Sequence, residues 1–217
     1  MQATLQVIGL SKNYNEKNAV KDISFKLNKN EIIGILGPNG CGKTTTIGMI
    51  LGLLKPTSGK ILINGIEIEK NRVQLLNNLN FISPYIELPK KLTVKQNLIV
   101  YGKLYDVKNL KTKIEYLTEK LRLDDIINKI TGELSSGQKN RVSLAKSIIN
   151  DPLVLLLDEP TASLDPETGD FVRSFFENYQ KENGTSILLA SHNMSEVERL
   201  CSSVLMMNNG SIIDQGS

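Results

Sequence analysis

The sequence predicts an α/β fold in which a buried parallel sheet carries an inserted lobe of helices. Short, mainly apolar runs occur at 32–36, 153–157 and 186–190, and the second has no polar alternation, as expected of a strand buried on both faces. A glycine-rich loop and a helical pattern follow the first run directly. From 83 to 134 the pattern is helical and no buried-strand pattern interrupts it, so we expect one core with an α lobe rather than two independent domains.

The loop after the first run has the composition of a phosphate-binding loop. It fits G-x-x-x-x-G-K-[ST] and reads Gly37-Pro38-Asn39-Gly40-Cys41-Gly42-Lys43-Thr44-Thr45. Its glycines let consecutive backbone N–H groups turn toward a phosphate chain. Lys43 brings positive charge to the β and γ phosphates, and the Thr44 hydroxyl is placed to bind Mg²⁺. The strand before the loop and the helix after it argue against an ordinary glycine turn.

Composition excludes several classes of protein. The 217 residues are 40% hydrophobic and carry a net charge of +3, which gives no strong attraction to nucleic acid or to an acidic membrane surface. No apolar run reaches the roughly 18 residues of a membrane span, and the first residues lack the pattern of a signal peptide. We therefore expect the chain to remain in the cytosol. Cys41 and Cys201 form no disulfide framework, and Cys41 is interpreted as a small filler of the loop.

The first part of the chain reads as strands. Residues 5–8 and 20–27 have strand patterns and are separated by a polar turn at 11–15. Tyr14 then lies on a loop beside the nucleotide strand. It covers the local core or stacks on a base, and the first alternative is the commoner one. Residues 60–63 and 66–68 flank Asn64-Gly65 and predict a hairpin with a type I′ turn.

The helical lobe has clear local signals. Thr93 and Gln96 form a capping box at the start of a helix that reaches about Tyr105, and apolar residues recur at helical spacing from 110 to 121. Ser135 precedes a further helical pattern at 139–149. Two interpretations remain open for Ser135: a plain N-cap, or a hydroxyl that faces an anion together with the helix dipole.

Polar side chains stand at the ends of two buried strands. Asp158 and Glu159 follow the run at 153–157, and His192 follows the run at 186–190. Ligands of open α/β sheets bind at this edge, so Asp158 is predicted to complete the Mg²⁺ shell and Glu159 to polarise the attacking water. His192, the chain's single histidine, is either structural or in contact with the γ-phosphate.

Taken together, these residues resemble the ATP-binding cassette family over essentially the whole chain. The resemblance implies a single ABC ATPase domain over 1–217, with a P-loop hydrolase core, an antiparallel β subdomain and a helical subdomain at about 83–150. It makes Tyr14 the base-stacking aromatic, residues 37–45 the phosphate loop, 134–138 the signature motif, 163–165 the D-loop and His192 the switch histidine. Glu159, His192 and Lys43 become the catalytic residues, with ATP and Mg²⁺ as cofactors.

The same resemblance implies partners and a location. Ser135, Gly137, Gln138 and Asp165 would face the ATP of a second cassette, either a copy of this chain or a related one. A separate integral membrane permease is expected, with the cassette cytoplasmic and peripheral on the inner face of the cell membrane. Residues 92–98 resemble the corresponding segment of exporters, and no nucleic acid is expected.

Three positions depart from the family pattern. Ser136 stands where glycine is usual in the signature motif, Ser83-Pro84 stand where the Q-loop carries Gln or Glu, and the chain ends soon after the last predicted strand. Pro84, Pro89 and the apolar Tyr85, Ile86 and Leu88 predict a surface loop that binds a permease.

Two other functions compete with a transporter ATPase. One is an ATP-dependent switch that acts on a ribosome or nucleic acid, although the chain has one cassette and no strong basic stripe. The other is a nucleotide-binding module without turnover, which Glu159 and His192 disfavour.

Overall fold

The structure is a computed structural model that describes residues 3–15, 17–84, 87–162 and 164–216. These ranges contain ten strands: β1 Ala3–Tyr14, β2 Lys17–Asn28, β3 Ile32–Leu36, β4 Ser58–Ile63, β5 Ile66–Glu67, β6 Leu79–Ile82, β7 Val154–Asp158, β8 Ser186–Ser191, β9 Ser203–Asn208 and β10 Ser211–Gly216. They also contain seven α-helices: α1 Lys43–Ile50, α2 Arg72–Leu76, α3 Val94–Leu104, α4 Leu110–Lys120, α5 Ser136–Ser147, α6 Pro166–Asn183 and α7 Met194–Leu200.

The larger sheet has six strands in the order β10-β9-β3-β8-β7-β6 and is parallel except for β10. Its central strands β7 and β8 are buried along their whole length, which explains why the sequence runs that form them are apolar. Because β3, β7 and β8 are parallel neighbours in register, their carboxyl ends meet at one edge of the sheet. The predicted α/β class is confirmed, with a phosphate-loop core.

The smaller sheet is antiparallel, in the order β2-β1-β4-β5. Phe25 and Leu27 are buried in it and alternate along β2 with the exposed Ser24 and Lys26. Asn64 and Gly65 both have positive φ, 49° and 78°, which agrees with the predicted type I′ turn.

The predicted polar turn at 11–15 is wrong, because β1 continues through it to Tyr14. Lys12 pairs with Val20, Asn13 with Asn18 and Tyr14 with Lys17, so β1 and β2 form one long hairpin. Polar side chains are tolerated there because residues 13–15 are exposed at the end of the hairpin and the Ser11 Oγ accepts from the Asp22 N–H across it. Tyr14 therefore ends a strand rather than sitting on a loop.

Helices α3, α4 and α5 lie between β6 and β7 in the chain and pack on one face of the larger sheet. Apolar residues of these helices join residues of β7, β8 and α6 in one buried cluster that includes Leu98, Leu117, Leu121, Val142 and Phe176. A second cluster fills the other face, between the larger sheet, α1 and the smaller sheet, and it includes Cys41, in agreement with its interpretation as a filler. Among the described residues no helix is long and apolar enough to cross a membrane.

One part of the surface-loop prediction is wrong. Leu88 is 9% exposed and belongs to the cluster under the helices, so it anchors the loop to the core instead of offering an apolar side chain to a partner. Tyr85 and Ile86 lie outside the described residues.

Candidate functional site

The phosphate loop connects the end of β3 to the start of α1. Gly42 has φ 116°, and a Cβ atom there would lie 2.7 Å from the Ala19 carbonyl oxygen. A Cβ atom on Gly37 would lie 2.2 Å from the Met207 carbonyl oxygen. Both positions need glycine because the loop passes directly against the backbone of neighbouring strands.

Lys43 is folded back over this loop. Its ammonium group donates to the carbonyl oxygens of Gly37 at 2.7 Å and Pro38 at 3.3 Å, and it lies 3.5 Å from Oε1 of Glu159. The residue is only 5% exposed. The loop therefore holds a buried positive charge against its own backbone carbonyl oxygens.

Thr44 and Asp158 meet where α1 begins and β7 ends. The Thr44 hydroxyl donates to Oδ1 of Asp158 at 3.3 Å, and Asp158 is 2% exposed. Burial raises the pKa of the Asp158 carboxyl, and the hydrogen bond from Thr44 opposes that shift. A hydroxyl and a carboxylate oxygen are ligands that Mg²⁺ prefers, so this pair fits the predicted metal.

Glu159 lies between a cation and the histidine. Its Oε2 is 2.7 Å from Nδ1 of His192, while its Oε1 is buried without a hydrogen bond and faces Lys43. The residue has φ 51°, a left-handed conformation that is unfavourable for glutamate, and its N–H donates to the Ala190 carbonyl oxygen at 2.9 Å. Strain of this kind is characteristic of functional sites, and here it turns the carboxylate away from β7 toward the loop.

Lys43, Thr44 and Glu159 line a groove of about 270 Å³ together with the end of the β1–β2 hairpin, whereas Asp158 and His192 lie beside these residues and are not part of its walls. Its walls are formed by Tyr14, Lys17, Ala19, Asn39, Gly40, Gly42, Lys43, Thr44, Thr45 and Glu159. Tyr14 is 44% exposed, and Lys12 lies 5.0 Å from its ring centroid. Such exposure does not suit a residue that covers the local core, so the arrangement favours the base-stacking alternative.

The residues around the start of α5 lie apart from this groove. Ser135 and Gln138 form a reciprocal capping box: the Ser135 Oγ accepts from the Gln138 N–H, and the Gln138 Oε1 accepts from the Ser135 N–H. Gly137 neighbours α6, since a Cβ on it would lie 3.7 Å from the Thr168 hydroxyl. None of the three lines the groove. The local signal for this capping box was the Gln three positions after the Ser.

Asp165 also lies at a helix start. Its carboxylate accepts from the Thr168 N–H at 2.9 Å at the start of α6, and that hydrogen bond lowers the pKa of the Asp165 carboxyl. Ser163, the first D-loop residue, lies outside the described part of the chain.

The sequence did not predict the burial of two charged residues. Lys146 is 7% exposed and Glu196 is 2% exposed. Lys146 stands among the buried apolar positions of α5, and that pattern could have marked it. Glu196 stands in the first turn of α7, where an acidic residue is ordinary, and nothing in the local sequence marks it as buried.

The fold and the site together define a P-loop nucleoside triphosphate-binding protein. The phosphate loop lies between a strand and a helix of a parallel sheet, and two acids stand at the end of a neighbouring strand. Comparisons place the chain within that class. Residues 20–162 match the ABC transporter family. The chain is 36% identical over 202 residues to the ABC transporter ATP-binding protein NatA of Bacillus subtilis strain 168, covering 92% of this chain and 82% of that protein.

Two further comparisons agree. The chain is 38% identical over 215 residues to the Nod factor export ATP-binding protein I of Rhizobium johnstonii, covering 98% of this chain and 68% of that protein. A solved structure of an ATP-binding subunit of an ABC transporter superposes with a TM-score of 0.90 at 27% identity, covering 99% of this chain and 90% of that one. The chain belongs to the ABC transporter family.

Membership confirms the predicted class, ATP as the nucleotide and ATPase activity. The chain is an ATP-binding subunit of an ABC transporter, and a switch that acts on a ribosome or nucleic acid is not favoured.

Proposed function

We propose that this chain is the ATPase of an exporter and that it hydrolyses ATP in the groove beside the phosphate loop. The observation that carries the chemistry is the Glu159 carboxylate, which lies 3.5 Å from the Lys43 ammonium and 2.7 Å from His192. A general base must lie beside the phosphate chain and be held in one orientation, and the contacts of Glu159 with Lys43 of the phosphate loop and with His192 support this role.

Residues in the groove and beside it have distinct roles in this proposal. The adenine stacks on Tyr14, and the N–H groups of residues 37–45 with Lys43 hold the β and γ phosphates. Glu159 orients a water for in-line attack on the γ-phosphorus and takes up its proton as the bond to the leaving ADP oxygen breaks. His192 holds Glu159 in place and donates to the γ-phosphate.

The Thr44 hydroxyl and the Asp158 carboxylate would hold Mg²⁺. Such an ion neutralises part of the negative charge that develops on the phosphate oxygens. Ser83-Pro84 supply no carboxylate or amide side chain at the Q-loop position, so we assign the metal only to the two residues that meet at 3.3 Å.

A second cassette completes the site. Ser135, Gly137, Gln138 and Asp165 stand at the starts of α5 and α6 and do not line the groove of their own chain. We assign them to the ATP of a second copy or a related chain, with residues 1–217 acting as one cassette domain whose helical subdomain spans about 83–150. Helix N-termini are suited to bind phosphate oxygens, which supports this assignment.

Export requires a membrane partner. A relative of this chain is named for Nod factor export, which supports an exporter, and the cassette would act on the cytoplasmic side, peripheral to the cell membrane through its permease. A groove of about 280 Å³ lies between the loop at Ser83 and Pro84, helix α5 and Pro160, and we propose that the permease docks near it.

The proposal is tested by Glu159→Gln. The variant should bind ATP normally but turn over roughly 10²–10⁴ times more slowly, the range for loss of a general base. Since ATP then persists between two chains, a dimer should accumulate on size exclusion with ATP and Mg²⁺. Glu119→Gln, an exposed carboxylate on α4, is the matched control. A wild-type rate for Glu159→Gln would remove Glu159 from the chemistry.

His192→Ala should also lower turnover while ATP affinity stays within a few-fold. Oε2 of Glu159 loses its only described hydrogen bond in that variant, so the carboxylate is less well oriented. Full activity would return His192 to a structural role.

A further inference from the structure

Glu196 is a buried carboxylate outside the groove. It lies in the first turn of α7, is 2% exposed, and has no lysine or arginine within ion-pair distance in the described part of the chain. Its two oxygens each accept one hydroxyl: Oε1 from Thr161 at 2.8 Å and Oε2 from Ser191 at 2.7 Å. A buried carboxylate without a cation is costly, and both of its oxygens are used.

The two hydroxyls stand beside the two loops that carry the catalytic pair, and Ser191 is the last residue of β8. Thr161 lies two residues after Glu159, and Ser191 is the residue before His192. The Ser191 hydroxyl oxygen also accepts from the Asn193 N–H at 3.0 Å, so it holds the backbone on the other side of His192. One carboxylate therefore ties together both loops.

Neither catalytic side chain is held by packing alone. The His192 side chain is 54% exposed, and Glu159 has the strained φ of 51°. Both need support from neighbouring groups if their 2.7 Å contact is to persist. Helix α7 can supply this support because its Val197 packs against Gly34 of β3. A Cβ atom on Gly34 would lie 2.8 Å from Cγ1 of Val197. Strand β3 leads into the phosphate loop.

We propose that Glu196 is a positioning residue for ATP hydrolysis: through Thr161 and Ser191 it fixes the loops of Glu159 and His192 relative to each other and to the phosphate loop. This inference rests on the proposed function, in which Glu159 and His192 act on the γ-phosphate. Glu196 itself touches no phosphate and does not line the groove.

The test compares Glu196→Leu with Glu196→Gln. Leucine keeps most of the volume and loses both acceptors, so kcat should fall about 10–100-fold, the scale for a misplacement of about 1 Å, while KM and ATP affinity stay within a few-fold. Glutamine keeps one acceptor and adds a donor, and a hydroxyl can rotate to accept it, so kcat should return to within about three-fold of wild type. Glu198→Leu, an exposed neighbour on α7, is the control.

A second set of variants separates positioning from folding. Thr161→Val and Ser191→Ala each remove one hydroxyl, and they apply even if Glu196→Leu does not fold. Each should lower kcat, and Glu196→Leu should add little in a His192→Ala background because the two act through one contact.

The outcomes are distinct. If Glu159→Gln retains wild-type turnover, the proposed function fails. If Glu159→Gln and His192→Ala are slow but folded Glu196→Leu and Thr161→Val keep the wild-type kcat, the positioning role is wrong. A Glu196→Leu variant that changes KM and thermal stability but not kcat also overturns it.

Discussion

At the scale of single residues, the site depends on charges that are held in place before any chemistry. Lys43 has two carbonyl partners in its own loop and Glu159 at 3.5 Å. Such fixed orientation is the main source of electrostatic stabilisation in enzymes, because no reorganisation is needed when the transition state forms.

Lys43→Ala should abolish ATP binding. The β and γ phosphates lose charge-assisted hydrogen bonds that contribute about 1.5–3 kcal/mol each. Isothermal titration calorimetry with ATP measures the loss, and Lys21→Ala, an exposed lysine, is the control. Unchanged affinity in a folded Lys43→Ala variant would contradict the phosphate-loop assignment.

At the scale of elements, helix α5 connects two distant points of the molecule. Its N-terminus carries the capping box of Ser135 and Gln138, and near its C-terminus Lys146 reaches β6. The Lys146 ammonium donates to Oδ1 of Asn80 at 3.0 Å and to the Phe81 carbonyl oxygen at 3.1 Å, and it lies 4.3 Å from the Phe81 ring centroid. Strand β6 ends one residue before Ser83, so α5 is tied directly to the start of the loop proposed to dock a permease.

The pH dependence of stability should reveal Lys146. Burial lowers the pKa of its ammonium to about 8. The unfolded chain, with a lysine pKa of about 10.4, binds more protons between these values, so this group makes the free energy of unfolding rise with pH from about 8 to about 10. The free energy of unfolding of the wild type, relative to that of Lys146→Met, should therefore increase by about 1 kcal/mol per pH unit between pH 8 and 10.

Urea unfolding at pH 7, 8 and 9 measures this difference. Lys103→Met, an exposed lysine on α3, should show a difference from wild type that does not vary with pH. If the free energy of unfolding of Lys146→Met also differs from that of wild type by an amount that does not change with pH, the buried ammonium keeps its ordinary pKa.

At the scale of the whole molecule, we assign separate surfaces to nucleotide, to a second cassette and to a permease. The groove lies at the edge where β3, β7 and β8 end, and the exposed starts of α5 and α6 do not line it. The loop after β6 joins the helical lobe through Leu88 and through the N–H groups of Thr131 and Gly132, which donate to the carbonyl oxygens of Leu92 and Lys90. These contacts connect that loop to the residues just before Ser135, at the start of α5.

The Tyr85→Ser and Ile86→Ser double variant should weaken assembly with the permease and lower transport. The reason comes from the sequence, which places two apolar residues between Pro84 and the anchored Leu88. Co-purification from solubilised membranes measures assembly, and the ATPase rate of the isolated subunit should stay within a few-fold. Loss of ATPase activity in the isolated, folded variant would assign this loop to the chemistry instead.

The sequence alone determined the class of fold, the phosphate loop and the acids and histidine at the strand ends. These features depend on local rules: apolar runs for buried strands, glycines where backbone approaches phosphate, and capping residues at helix starts. Thr93 and Asp165 cap helices as their local patterns indicate.

Only the tertiary structure decided how distant residues meet. The extension of β1 to Tyr14 depends on pairing with β2, and the burial of Leu88 depends on the helical lobe. Lys146 hydrogen-bonds to β6, and Glu196 hydrogen-bonds to residues beside Glu159 and His192. Both charged side chains are buried, although the local sequence suggests that they are exposed. From the sequence alone, such a charged residue is expected to be exposed to solvent, because its hydrogen-bond partners are not close to it in the sequence. Sheet order and burial bring those partners within hydrogen-bond distance.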